Sequence, residues 1–283
     1  MSKIEKNIED LSFDEERALY HSVDSSITSC RFEGPADGES ALKESKRITV
    51  SDCFFDLRYP LWHVDEFTLS YSQMTENARA ALWYCNNGSI KNCSLYGIKA
   101  LRECNNIKLE DCSIGSPEFG WKCSDISVCY SDIEAEYVFL DSKNISLSNV
   151  QMKGKYSFQY IDGLTIENCS LDTKDAFWHS RNVTVKNSTI KGEYLAWFSQ
   201  NLTLVNCHII GTQPLCYCRG LKLIDCTMDD TDLCFEYSDV EASILGRVES
   251  IKNPLSGNIT VDEVGEIIHD DPVMECRGQV IIR

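Results

Sequence analysis

The chain of 283 residues carries 27 Lys and Arg against 44 Asp and Glu, a formal charge of −17, with 43% hydrophobic and 25% charged residues. That apolar share supports a packed core and excludes a mainly disordered chain, and the acidic field argues against nucleic acid as a partner, because phosphates are repelled. No apolar run approaches the roughly 18 residues of a membrane span, so no membrane partner is expected.

In chain order, residues 1–17 are polar and acidic and read as an N-terminal cap, a strand or a short helix. They lack the apolar segment of a secretory signal, which points to the cytoplasm and to reduced thiols for the fifteen cysteines. From Asp24 onward one phrase recurs: turn residue, apolar, polar, apolar, polar, Asn or Asp, Cys. It starts at Asp24, Arg47, Glu66, Asn87, Asn106, Asp125, Asn144, Gly163, Asn182, Asn201, Gly220, Asp239 and Asn258, and ten of the intervals are nineteen residues. Equal intervals in phase with one apolar pattern mark a repeat architecture. Residues 18–264 are therefore read as one repeat domain of about thirteen coils. Residues 265–283, which follow the loss of the cysteine column and contain Pro272, read as a C-terminal cap over the last strand edges.

Within each phrase apolar residues alternate, as in Ile107-Lys108-Leu109 and Val183-Thr184-Val185, which is strand periodicity. No 3.6-residue pattern and no leucine-rich signature accompanies it. Nineteen residues make one coil of a parallel β-helix with three short strands and three corners. Taking each start as position zero, position five holds Asp52, Asn92, Asp111, Asn149, Asn168, Asn187, Asn206 and Asp225. Asn tolerates the left-handed backbone of a corner and bonds the next coil, so a ladder is expected. Position six holds Cys53, Cys93, Cys112, Cys169, Cys207 and Cys226, and position −2 holds Cys85, Cys104, Cys123 and Cys218, interleaved with serines. Buried structural thiols account for both columns. Cys216-Tyr217-Cys218 lacks a second pair at zinc spacing, so neither metal nor cofactor is expected.

The segment before position zero departs from this regularity. Position −5 is apolar, from Leu61, Leu82 and Leu101 to Phe139, Phe158 and Phe177. Position −4 collects all five tryptophans, Trp62, Trp83, Trp121, Trp178 and Trp197, with Arg102 and Gln159 among them. Position −3 reads His63, Tyr84, Glu103, Lys122, Asp141, Tyr160, His179, Phe198 and Tyr217. Positions −5 and −2 lie three apart, so both face inward only if a bulge or corner intervenes. Aromatics beside mixed acids and bases are the composition of a sugar site.

The chain at this point resembles the pectate-lyase-like right-handed β-helix superfamily. The stretch GKYSFQYIDGLTIENCSLDTKDAFWHSRNVTVKNSTIKGEYLAWFSQNLTLVNC and the phrase GTQPLCYC resemble an uncharacterised bacterial family of such folds over essentially the full length. The resemblance implies right-handedness and relatives that act on carbohydrate from an outer strand face. The Asp-Asp pair of polygalacturonases and the Asp cluster of calcium-dependent pectate lyases are both missing, so fold analogy leaves the reaction open.

The strip itself offers two roles. In a lyase or glycoside hydrolase, Glu103 and Asp141 supply carboxylates, Lys122 or Arg102 neutralises a uronate, and Tyr160 or His179 takes a proton. In a binding protein, Trp83, Trp121, Trp178 and Trp197 stack on sugar rings and the charged residues orient them. Both readings expect an oligosaccharide partner. The competing reading is a scaffold rod or a homo-oligomer whose interface is this strip.

Overall fold

The computed structural model describes residues 6–270 and 273–283; residues 1–5 of the expected N-terminal cap, and Pro272, lie outside the described residues. The fold is an all-β parallel solenoid of about 14 turns. The chain divides into two compact units, residues 1–139 and 140–283.

In the first unit the phrase forms six-residue strands at Lys46–Ser51, Asp65–Ser70, Asn86–Lys91, Asn105–Glu110 and Ser124–Cys129. They stack in parallel with the repeat in register, pairing Ile48 with Phe67, Phe67 with Gly88, Gly88 with Ile107 and Ile107 with Ile126. Lys6–Glu9 pairs in the same parallel manner with Val23–Thr28, so the N-terminal segment is a strand. The segment before position zero forms two-residue strands, Leu61–Trp62, Leu82–Trp83 and Leu101–Arg102.

The second unit repeats the pattern at Lys143–Ser148, Asp162–Glu167, Arg181–Lys186 and Gln200–Val205, pairing Ile145, Leu164, Val183 and Leu202 in turn. Toward its end the strands lengthen to Asp239–Lys252 and Ser256–Ile268, and Gln279–Ile282 pairs in parallel on the latter.

Side-chain alternation follows the phrase. Ile107 and Leu109 are buried while Lys108 is exposed. Each buried Leu or Ile contributes about 1.5–3 kcal/mol. Two glycines make room for large neighbours in the inward columns. A Cβ on Gly88 would lie 2.2 Å from the Phe67 ring, and one on Gly120 would lie 2.3 Å from the Phe139 ring.

The corners carry positive φ. Asn106 (53°) and Asp111 (52°) turn the chain at positions zero and five in one coil, and Asn182 (54°) and Asn187 (49°) do so in another. Side-chain amides run between coils at both positions, from Asn106 to Asn87 (2.8 Å), from Asn201 to Asn182 (3.1 Å) and from Asn206 to Asn187 (2.9 Å).

The three-apart conflict is resolved by a further positive φ at position −3: Glu103 at 50°, Tyr160 at 58°, His179 at 55°. The reversal there turns positions −5 and −2 inward together. Leu101 and Cys104 are buried in one coil, Phe177 and Ser180 in another.

All fifteen cysteines are free thiols, thirteen of them buried. Cys and Ser recur at position six and either donates to the carbonyl two residues back, as Cys112 does to Glu110 (3.3 Å) and Ser188 to Lys186 (2.7 Å), while Val150 fills the column without a donor. Among the described residues no group of three His, Cys, Asp or Glu is placed to hold a metal ion, and no helix is long and apolar enough to cross a membrane.

Candidate functional site

The tryptophan column is half-buried in both units. In the first unit Trp62 and Trp83 stack in parallel, with centroids 5.2 Å apart and planes 8° apart. Lys43 sits 4.1 Å over Trp62 and the Arg102 guanidinium 4.7 Å over Trp83, so the pair is capped by a cation at each end. Trp121 donates its indole N–H to the Tyr137 carbonyl (3.0 Å) beneath Lys99. Arg102 also pairs with Glu103 at 3.0 Å. Burial pushes the Glu103 carboxyl up, but hydrogen bonds from Tyr84 and Arg102 outweigh it and hold it below its ordinary range. Lys122 is exposed. In this unit the aromatic faces of the Trp62–Trp83 pair are thus occupied by one another and by cations.

In the second unit Trp178 and Trp197 stack at 5.5 Å and 4°. Their indole N–H groups donate to the carbonyls of Tyr194 (2.6 Å) and Gln213 (2.8 Å). They buttress the outer column from behind, Trp197 meeting Tyr217 edge to face at 5.4 Å.

That outer column is a ladder of rings on the surface. Tyr160 stacks on His179 (5.0 Å, 9°), His179 on Phe198 (5.1 Å, 9°) and Phe198 on Tyr217 (4.8 Å, 15°). Tyr160 is 56% exposed and Phe198 41%. Interior faces of the ladder cover each other and only ring edges reach solvent. Tyr160 ends the ladder. The coil before it carries Asp141 in the same column, tied to it by the Asp141 amide donating to the Gln159 carbonyl (3.0 Å). One face of Tyr160 is therefore open.

That open face borders a groove of about 420 Å³ lined by Asp141, Lys143, Tyr160, Ile161, Asp162, His179 and Arg181. Its cause is local. Ser142, Ile161 and Ser180, at position −2, are fully buried, so the residues on either side splay outward as two walls. Asp141, Tyr160 and His179 form one wall, and Lys143, Asp162 and Arg181 the other. Asp162 accepts a hydrogen bond from Asn182 (2.7 Å). Among the described residues Asp141, Lys143 and Arg181 have no ion-pair partner.

Of the ten residues singled out from sequence, the groove brings together Asp141, Tyr160 and His179, with Trp178 and Trp197 behind that wall. Glu103, Lys122, Arg102, Trp83 and Trp121 belong to the first unit. Lys143, Asp162 and Arg181 had not been singled out. Their signal lies at position −1, between the cysteine column at −2 and the start of the phrase, where Lys143, Asp162 and Arg181 recur at nineteen-residue intervals.

A family model described as a protein of unknown function (DUF3737) matches residues 6–282. Among curated proteins no sequence matches the chain. Solved structures similar to it include the A-module of the mannuronan C-5 epimerase AlgE4 of Azotobacter vinelandii, at 9% identity and a TM-score of 0.32, covering 99% of this chain and 86% of that one. PfbA, a surface adhesin of Streptococcus pneumoniae, aligns at 9% identity and a TM-score of 0.36, covering 98% and 84%. The tailspike protein of Escherichia coli bacteriophage HK620 in complex with a pentasaccharide aligns at 9% identity and a TM-score of 0.39. There 87% of this chain is covered, and the chain spans 60% of the tailspike.

Proposed function

Because the chain belongs to the DUF3737 family, whose description assigns no activity, its function rests on the groove itself, and we propose that the protein binds carbohydrate beside Tyr160. The observation that carries this reading is the combination at one place of an open aromatic face and unpaired side chains of both signs, Asp141, Lys143 and Arg181. A sugar ring offers an apolar face to the aromatic plane and hydroxyls that donate to carboxylates and accept from Lys and Arg. The groove is open to solvent, which suits binding of a chain from the side more than enclosure of a reacting bond.

The test is a glycan array probed with the parent protein and with a Tyr160→Ala, Arg181→Ala double variant. The expected outcome is capture of a glycan by the parent and its loss in the variant. Mass spectrometry of the recovered glycans reads any turnover assisted by Asp141 or His179. An array on which the parent captures nothing, or on which the variant captures the same glycans equally, sinks the reading.

A further inference from the structure

The two walls continue past the groove. At position −2, Ser199 and Cys218 are as buried as Ser180, so the chain sinks at each coil and its neighbours splay outward. One wall is the ring ladder Tyr160, His179, Phe198 and Tyr217. The facing wall reads Asp162, Arg181, Gln200 and Arg219. Arg219 is spent on the carbonyls of Cys218 (2.8 Å) and Tyr237 (2.7 Å). Arg181 and Gln200 are exposed and carry no side-chain partner among the described residues.

We propose that this channel takes a neutral, linear oligosaccharide lying along the coil axis, one sugar residue per coil, over the four coils from Tyr160 to Tyr217. The proposal rests on the carbohydrate reading above. Three features argue for it. Coils advance by about 4.8 Å, close to the advance of one pyranose in an extended linear chain, so successive sugar residues meet successive coils. The first three coils each offer a ring edge on one side and a hydrogen-bonding group on the other (Asp162, Arg181 and Gln200), the Tyr217 coil offers its ring alone because Arg219 is held by carbonyls, and the open face of Tyr160 is left for the terminal sugar. The charges argue for a neutral ligand. Asp141 and Asp162 offset Lys143 and Arg181, the Arg219 guanidinium is turned onto the Cys218 and Tyr237 carbonyls, and the chain as a whole is strongly acidic, so polyanions gain little net attraction.

The experiment is isothermal titration of the full chain with malto-, cello- and manno-oligosaccharides of two to six residues, and with oligogalacturonates of the same lengths, at low and high NaCl. One neutral series is expected to gain about tenfold or more in affinity from dimer to tetramer, to level off at the tetramer and to be insensitive to salt. Phe198→Ala and Gln200→Ala are expected to weaken the tetramer and leave the dimer unchanged, whereas Tyr160→Ala weakens both. Preference for oligogalacturonate lost at high salt, or affinity independent of length, overturns this proposal while leaving carbohydrate binding intact. Absence of binding by every series overturns both.

Discussion

Gly88 shows how a single residue is dictated by its column. Its neighbours in register, Phe67 and Ile107, point inward with it. The Phe67 ring occupies the space a side chain at 88 would take, with 2.2 Å left to a Cβ. Gly88→Ala is expected to destabilise the fold by about 1–3 kcal/mol through overpacking, read by urea unfolding. Phe67→Leu in that background should recover part of the loss, and an unchanged midpoint for Gly88→Ala would contradict the packing account. Tyr160 is the counterpart at the surface. Its ring ends the ladder, so its removal exposes a His179 face without touching the core, and stability should change little while binding falls.

At the level of the coil, corners and ladders share one cause. Asn206 has φ of 50° and donates to Asn187 at 2.9 Å. Asn206→Ala loses the bond and keeps a Cβ in left-handed backbone without the local side-chain hydrogen bonding that lets Asn tolerate it, at a combined cost of about 1–2 kcal/mol. Asn206→Gly loses only the bond and should cost less. If Gly proves worse than Ala in thermal unfolding, the corner is not held by backbone conformation. This part of the fold was legible because Asn, Asp and Gly announce positive φ at positions zero and five, and alternation announces which residues turn in. The groove was less legible. It depends on positive φ at Asp141, Tyr160 and His179, a conformation Asp and His tolerate but Tyr does not signal, so the column as a whole gives no consistent sign of it. Without it, position −1 gives no sign of forming a wall facing position −3. The same limit applies to the tryptophans. Their shared column was plain in the sequence, but a column of rings at coil spacing closes its own faces, and that leaves Trp178 and Trp197 as supports.

For the molecule as a whole, the thiol columns set the response to pH and to reagents. Burial pushes the thiol of Cys53 up to about 12 and those of Cys93 and Cys218 up to about 11. In the unfolded chain these groups titrate near about 8.5. Folded-state values above the unfolded one mean stability that is fully present below about pH 8.5 and lost as pH rises toward the folded values, because only the unfolded chain releases the protons. Urea midpoints should therefore fall from pH 8.5 to pH 10, and Cys→Ser replacement at position six, where Ser already occurs, should flatten the slope. A flat profile in the parent would contradict buried thiols. With thiol reagents the native protein should label quickly at Cys129 and Cys276, the two cysteines that are not buried, and the denatured chain at all fifteen.

The central claim is that the open face of Tyr160 is a binding surface. Its most direct test is titration of a captured tetrasaccharide into the parent and into Tyr160→Ala, with unfolding midpoints measured on both. The account predicts matching midpoints and an affinity at least about tenfold weaker in the variant, a loss of roughly 1.4 kcal/mol. Equal affinities in two equally folded proteins would contradict it.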